Sequence, residues 1–323
     1  MSEDYSNKNV SILNVGNVLV DIEISISNKQ LSEIPIQKGR AIEINSDELA
    51  FYLSKYKSQI TDQYLGGSIF TTAATSSIFK INNLFLGSVG KDNNSKFLIE
   101  IMNTYPIKTF LNVDPQNTGC CLIFLTPDKE RTMAAYPGAS GQLTLANFTE
   151  TEDFDYIFSD LYSLNSVINK KTISHLLSSN KGLILSLSDI SVMKKHMDFI
   201  KKYSDQIKII AGNEDEMKYL EQAMNSSLIS VSKKNNKLYI ITKGSSGSLI
   251  LHKGIEYVSE AIPTDVKSLN GAGDTFLGAF IGCYMETKDI QYSGNVANYF
   301  SYVSVQQNNA CLEFSSLLNT KNA

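Results

Sequence analysis

The chain has 323 residues, 42% hydrophobic and 19% charged, enough for one large α/β domain or two ordinary ones with an ample core. Its net charge of −4 gives no basis for binding nucleic acid or a membrane surface. There is no signal peptide and no apolar run of about 18 residues, so the expectation is a cytoplasmic protein with reduced thiols.

Residues 1–9 are polar and are expected to be disordered. Val10 to Gly16 reads as a strand ending in glycine, with Asn17 and Asp21 just beyond it. Such a strand end fits a ligand crevice at the carboxyl edge of a sheet. Asp21 could accept hydrogen bonds from sugar hydroxyls, and a turn role fits equally. Short β-like pieces follow at Ile22–Ile26 and Ala41–Ile44, then a helix from Asp47 to Ile60 with Ser46 as its cap. Gly66-Gly67 opens another helix, and a glycine pair lets backbone approach a ligand closely or simply turn tightly. Leu84–Val89 is strand-like, as is Cys120–Thr126. Pro127-Asp128 reads as a turn and Glu130–Met133 as the return strand. These pieces fall outside a βαβ rhythm and imply a small β lid, at about 17–45 and 118–136, inserted in one domain spanning 10–311.

From residue 154 the rhythm is regular. Strand-like runs at 154–159, 182–187, 207–211 and 237–242 alternate with helical stretches, which implies a doubly wound, mostly parallel α/β sheet. Polar groups stand at successive element ends: Asn213 and Glu216, then Thr242, Gly244 and Gly247, then Gly271-Ala272-Gly273-Asp274. The last of these opens directly into the apolar run Leu277–Met285. Gly271 and Gly273 allow a sharp turn, the free N–H groups of a helix start favour an anion, and Asp274 stands where it could take a proton from an attacking nucleophile. Plain structural readings exist beside each: Asp274, Asn213 and Glu216 as helix caps, and the glycine-serine loop as a hairpin turn. Neither G-x-x-x-x-G-K-[ST] nor G-x-G-x-x-G occurs, so a nucleotide would bind by another route. Cys120, Cys121, Cys283 and Cys311 have no zinc spacing, and His175, His196 and His252 have no metal spacing.

Four features in order resemble the ribokinase-like (PfkB) family of carbohydrate and nucleoside kinases: Gly66-Gly67 before a helix, Asn213-x-x-Glu216, Thr242-x-Gly244-x-x-Gly247, and Gly271–Asp274. The adenosine-kinase-like members are the most similar, through Val15–Ile22, Thr126–Met133 with Gly138-Ala139, Asn270, and Val303–Gln307. The resemblance implies transfer of the ATP γ-phosphate to a primary hydroxyl, the 5′-OH of adenosine, with Asp274 as base and the Gly271, Ala272 and Gly273 N–H groups stabilising charge. It implies Asn17, Asp21, Gly66, Gly67, Thr71 and Arg131 at the substrate. Asn213, Thr242, Gly244, Gly247 and Asn270 would lie at ATP, with Mg²⁺ placed by Glu216 and Asn213 through water.

Two positions depart from the family pattern. Thr71 stands where an asparagine is usual, which alters the sugar pocket, and Ser268-Leu269 replaces Asp-Thr, which puts monovalent-cation activation in doubt. A kinase of ribose, fructose, inosine or guanosine, and a catalytically silent nucleoside sensor, remain as alternatives. The implied partner is a small nucleoside or sugar, in a monomer or homodimer.

Overall fold

The computed structural model describes residues 9–148, 153–307 and 309–322. The expected disordered start at 1–9 falls, apart from Asn9, outside them. Fourteen strands are described: β1 Ser11–Val15, β2 Leu19–Ser25, β3 Ala41–Glu43, β4 Ile60–Gly66, β5 Asn82–Val89, β6 Lys108–Val113, β7 Cys120–Leu125, β8 Arg131–Tyr136, β9 Tyr156–Asp160, β10 Gly182–Ser186, β11 Ile207–Asn213, β12 Leu238–Thr242, β13 Ser248–His252 and β14 Ile255–Ser259. They form a nine-stranded sheet ordered β14-β13-β12-β11-β10-β9-β1-β5-β6 and a five-stranded sheet ordered β3-β8-β7-β2-β4.

The large sheet is parallel from β12 through to β6 and antiparallel only at β13 and β14. Its central strands are apolar on both faces because both are covered. Ile12, Phe158, Ile184, Ile209 and Ile240 join one core with Phe276, Phe280 and Phe300. The alternate residues Leu13, Ile157, Leu185 and Ile210 join a second core with Ile173, Val192, Met193 and Met217. Helices Ser68–Ser76, Ala272–Thr287 and Ile290–Ser304 therefore cover one side, and Val167–Leu177, Ile190–Lys202 and Glu214–Met224 the other. Among the described residues no helix is long and apolar enough to cross a membrane.

The small sheet alternates in the same way. Val20, Ile22, Ile24, Leu122 and Phe124 pack with Leu49, Tyr52 and Tyr56 of a covering helix. On the opposite face Tyr64, Cys121 and Ile123 cluster with Ala310. Two sequence expectations are corrected here. The covering helix is Ser46–Lys55 and not Asp47–Ile60, and Asn45, whose side chain accepts from the Asp47 and Glu48 N–H groups, is its cap in place of Ser46. Its apolar period stops at Tyr56, and Ile60 opens β4, which pairs antiparallel with β2.

Candidate active site

Most helices of this chain begin with a side-chain cap. Asn45, Asp92, Ser166, Asp189, Asn213 and Asp289 each accept a backbone N–H at the start of the helix that follows. The helices that begin at Ser68 and Ala272 have none. Each is entered through a glycine at positive φ, Gly67 at 104° and Gly271 at 71°. Apart from a long bond of 3.4 Å from the Ala272 N–H to the Leu269 carbonyl, their first N–H groups are left without a side-chain acceptor, and the helix dipoles add positive potential at the same place.

Space decides which glycine does what. A Cβ on Gly271 would lie 1.9 Å from the Ala310 carbonyl oxygen, so this glycine is required by the fold. A Cβ on Gly273 would meet nothing within 4 Å, so the backbone there faces open space. The two helices approach closely farther along, where a Cβ on Gly278 would lie 2.4 Å from the Thr72 carbonyl oxygen. The Thr72 hydroxyl donates to the Asp274 carbonyl oxygen at 3.2 Å, and the Ser68 side chain lies beside the Asp274 carboxylate.

Asp274 lies in the first turn of its helix, partly covered as a residue, with its carboxyl surrounded by protein atoms. Loss of hydration, followed by the negative field of Asp160, pushes its pKa up to about 7. Ser68 pulls it down, and Glu216 adds a smaller upward push. Asp160 ends β9, is 3% exposed, and accepts from the Ser163 N–H at 2.7 Å.

Asp21 forms a second centre. It faces Tyr64 across the β2–β4 pair, and Gly66 makes room for it: a Cβ there would lie 2.0 Å from Asp21 Oδ1. Burial raises the Asp21 pKa to about 7, Asn270 and Arg131 lower it, and Asp274 raises it. The Tyr64 hydroxyl and Asn270 Nδ2 adjoin this carboxyl, buried and without a partner of full hydrogen-bond geometry among the described residues. Arg131 on β8 donates to the Ser268 hydroxyl, which also accepts from the Asn270 N–H at 3.1 Å, so the small sheet is tied to the segment before Gly271. Asn17 receives a hydrogen bond from Asn169 Nδ2 at 3.3 Å.

Thr71 does not open into this space. It is 1% exposed, its N–H bonds the Gly67 carbonyl, and its hydroxyl lies beside the buried Cys311 thiol.

Of the residues read as the ATP side, Asn270 stands instead beside Asp21 and Tyr64, because it precedes the Gly271 turn on the side of the small sheet, and the others stand at adjoining strand ends. Asn213 and Thr242 are partners in the β11–β12 register. Asn213 and Glu216 form a reciprocal cap: Asn213 Nδ2 donates to Oε1 at 2.7 Å, its N–H to Oε2 at 3.0 Å, and the Glu216 N–H returns to Asn213 Oδ1 at 2.9 Å. The capping reading of this pair is therefore realised. Glu216 is buried and its pKa is raised by that burial. Thr242, Gly244 and Gly247 form the β12–β13 turn. Gly244 at φ 54° faces open space, whereas Gly247 at φ 85° is packed on the Ser259 carbonyl oxygen.

Asp160, Ser68 and Tyr64 were not singled out from sequence. Asp160 has a local signal, a carboxylate closing a buried strand, and Ser68 follows the glycine pair directly. Tyr64 has none, because its place beside Asp21 depends on pairing with a distant strand.

A family model described as pfkB family carbohydrate kinase matches residues 40–316. The chain belongs to this family. It is a phosphotransferase of the ATP-using carbohydrate kinase class, built on the ribokinase-like fold. Adenosine kinase of Dictyostelium discoideum is 24% identical over 335 residues, covering 95% of this chain and 98% of that protein. The structure of adenosine kinase from Sinorhizobium meliloti superposes with a TM-score of 0.84 at 18% identity, covering 98% of this chain and 100% of that one. A probable sugar kinase from Rhizobium etli superposes with a TM-score of 0.85 at 20% identity, covering 97% and 99%.

Proposed function

We propose that the protein phosphorylates the 5′-hydroxyl of adenosine with ATP. The observation that carries the reading is the pair of uncapped helix starts meeting at Asp274, with Gly273 facing open space. Asp274 takes the hydroxyl proton as the oxygen attacks the γ-phosphorus and the bond to the ADP oxygen breaks. The Gly273 N–H, with the Ala272 N–H released from its long 3.4 Å bond to the Leu269 carbonyl, meets the charge spread over the transferred phosphoryl oxygens. Asp21, flanked by Tyr64 and Asn270, accepts from the ribose diol, and Asn17 and the Gly66-Gly67 backbone border the same sugar. A diol oxygen also supplies the acceptor that the Tyr64 hydroxyl and Asn270 Nδ2 lack.

Thr242 and Gly244 line the ATP phosphates, with Gly247 shaping their turn. Mg²⁺ would neutralise phosphate charge, held by phosphate oxygens and water on the side of Asn213 and Glu216. The buried Glu216 carboxylate and the Asn213 amide supply oxygen donors of the kind Mg²⁺ takes through water, so the residues fit such an ion. The five-stranded sheet acts as a lid, with Arg131 gripping Ser268 when it is shut. We place the enzyme in the cytoplasm, as a monomer or homodimer.

The test is ATP consumption with Mg²⁺ against adenosine, inosine, guanosine, ribose and fructose. Turnover with adenosine alone supports the reading. Turnover with a free sugar transfers the reading to a sugar kinase, and binding of adenosine without turnover makes the protein a sensor.

A further inference from the structure

Asn17 is held through both its backbone and its side chain by one stretch of chain. Its N–H donates to the Ser163 hydroxyl at 3.3 Å, and its Oδ1 accepts from Asn169 Nδ2 at 3.3 Å. Ser163 is 1% exposed and Asn169 0%, and they flank the start of the helix Val167–Leu177, which Ser166 caps. The other buried residues of that helix, Ile173, Leu176 and Leu177, are apolar. A primary amide in such a place is costly to bury unless every part of it is bonded, and packing alone would be served by a leucine.

The Asn169 amide is used in full. Its Oδ1 accepts from the Leu143 N–H at 2.9 Å, and its Nδ2 donates to the Ser140 carbonyl oxygen at 2.9 Å as well as to Asn17. Leu143 and Ser140 contribute backbone groups, one a donor only and the other an acceptor only, so the Asn169 amide stands one way round. Asn17 therefore meets an N–H and must turn its own Oδ1 to it. Asn17 Nδ2, which has no protein acceptor among the described residues, is the group left for a ligand. Asn17 is half-buried and lies beside the glycine pair, where a Cβ on Gly67 would be 2.6 Å from the Asn17 carbonyl oxygen. A sugar hydroxyl has one proton and two lone pairs. Once Asp21 takes the proton, that oxygen needs a donor from its other neighbours. An Asn17 turned round would set Oδ1 against it with no proton between them.

We propose that Asn169 is a positioning residue that fixes the rotation of the Asn17 amide, so that Asn17 offers a donor to a sugar hydroxyl whose proton Asp21 takes. This rests on the reading of Asp21 and Asn17 as the sugar site. Asn169 touches no substrate and acts through Asn17 alone. The Ser140 carbonyl belongs to the turn Gly138–Gly141 that follows β8, so the same side chain ties the return from the lid to the sugar site.

The test is a double-substitution cycle on the full-length protein, with Asn169→Asp, Asn17→Ala and the two combined. Asn169→Asp keeps the shape and the acceptor for the Leu143 N–H but puts an oxygen where the donor was, so the Asn17 amide turns to give it an N–H. The compounds are adenosine, inosine, guanosine, ribose and fructose with ATP. The readouts are KM and kcat, or Kd where a compound binds without turnover, together with thermal unfolding. Asn169→Asp should raise KM for the accepted compound roughly tenfold and leave kcat within about twofold. With Asn17→Ala already present, it should change KM by less than about twofold. A lower unfolding temperature, from the carboxylate set against the Ser140 carbonyl, should appear in both backgrounds, since it does not depend on Asn17. Asn169→Ala withdraws the donor without adding charge. It should give the same pattern with a smaller rise in KM, and it carries the cycle if the aspartate variant does not fold. An unchanged KM, or a rise of the same size with and without Asn17, overturns the proposal. An accepted compound other than adenosine overturns the adenosine reading and leaves the cycle readable on that compound. A protein that binds none of the five overturns both.

Discussion

The side chain of Ser68 stands beside the carboxylate of Asp274, bringing together the starts of two uncapped helices. The hydroxyl favours the charged carboxylate and so lowers its pKa against the upward push of burial. Ser68→Ala removes that support. The account predicts that the pH at which kcat/KM reaches half its limit moves upward in this variant, with little change in the high-pH limit. A full pH–rate profile of both proteins checks it.

The same reasoning fixes a sign for the unaltered enzyme. A base must be deprotonated to act, and Asp274 is raised to about 7. Activity as kcat/KM should therefore rise with pH through about 7, by at least about tenfold per unit below it, and more steeply where Asp21, also raised to about 7, must lose its proton too. Asp160 is the leading charge that raises Asp274, so Asp160→Asn should shift this limb to lower pH. An upward shift would remove Asp160 from the site's electrostatics.

How much of this was legible in the sequence depends on the range of the interaction. Gly271–Asp274 is a local signal, since a glycine entry, a carboxylate and an apolar run lie within a few turns, and so is the strand-and-helix rhythm after residue 154. The Asn213–Glu216 box was legible as two residues three apart, and the structure shows the cap itself. The helix at 46 was misjudged at both ends because Asn45 and Ser46 are both good caps, and because Ile60 continues an apolar pattern while belonging to β4. The Asp21–Tyr64 pair was not legible at all. Its register is fixed by the β2–β4 ladder, and a one-residue slip would turn Tyr64 to the other face.

That pair gives a prediction of its own. Tyr64→Phe keeps the ring packed against Cys121 and Ile123 and removes only the hydroxyl beside Asp21. One lost hydrogen bond of about 1 kcal/mol should raise KM for adenosine by roughly five- to tenfold with kcat nearly unchanged. Whichever deoxyadenosine lacks the hydroxyl that Tyr64 meets should be used equally well by both proteins. A variant that discriminates against 2′- and 3′-deoxyadenosine as the unaltered enzyme does would separate Tyr64 from the diol.

Two neighbouring glycines should fail differently. Gly271→Ala places a methyl 1.9 Å from the Ala310 carbonyl oxygen in a left-handed backbone, so thermal unfolding should show a loss of several kcal/mol or no stable protein. Gly273→Ala has open space around the new methyl, so it should unfold at the temperature of the unaltered protein. Its turnover should drop, because the methyl occupies space from which the N–H groups meet phosphate. Calorimetry and steady-state kinetics on the two variants separate the roles.

The central claim is that Asp274 is the base for phosphoryl transfer. The most direct measurement compares formation of the nucleoside 5′-phosphate from ATP and adenosine by the unaltered enzyme and by Asp274→Asn, with adenosine binding measured on both. The account predicts turnover lower by roughly 10²–10⁴-fold in the variant with adenosine affinity largely kept. Turnover near that of the unaltered enzyme would contradict it, and the proton would then have to leave by another route.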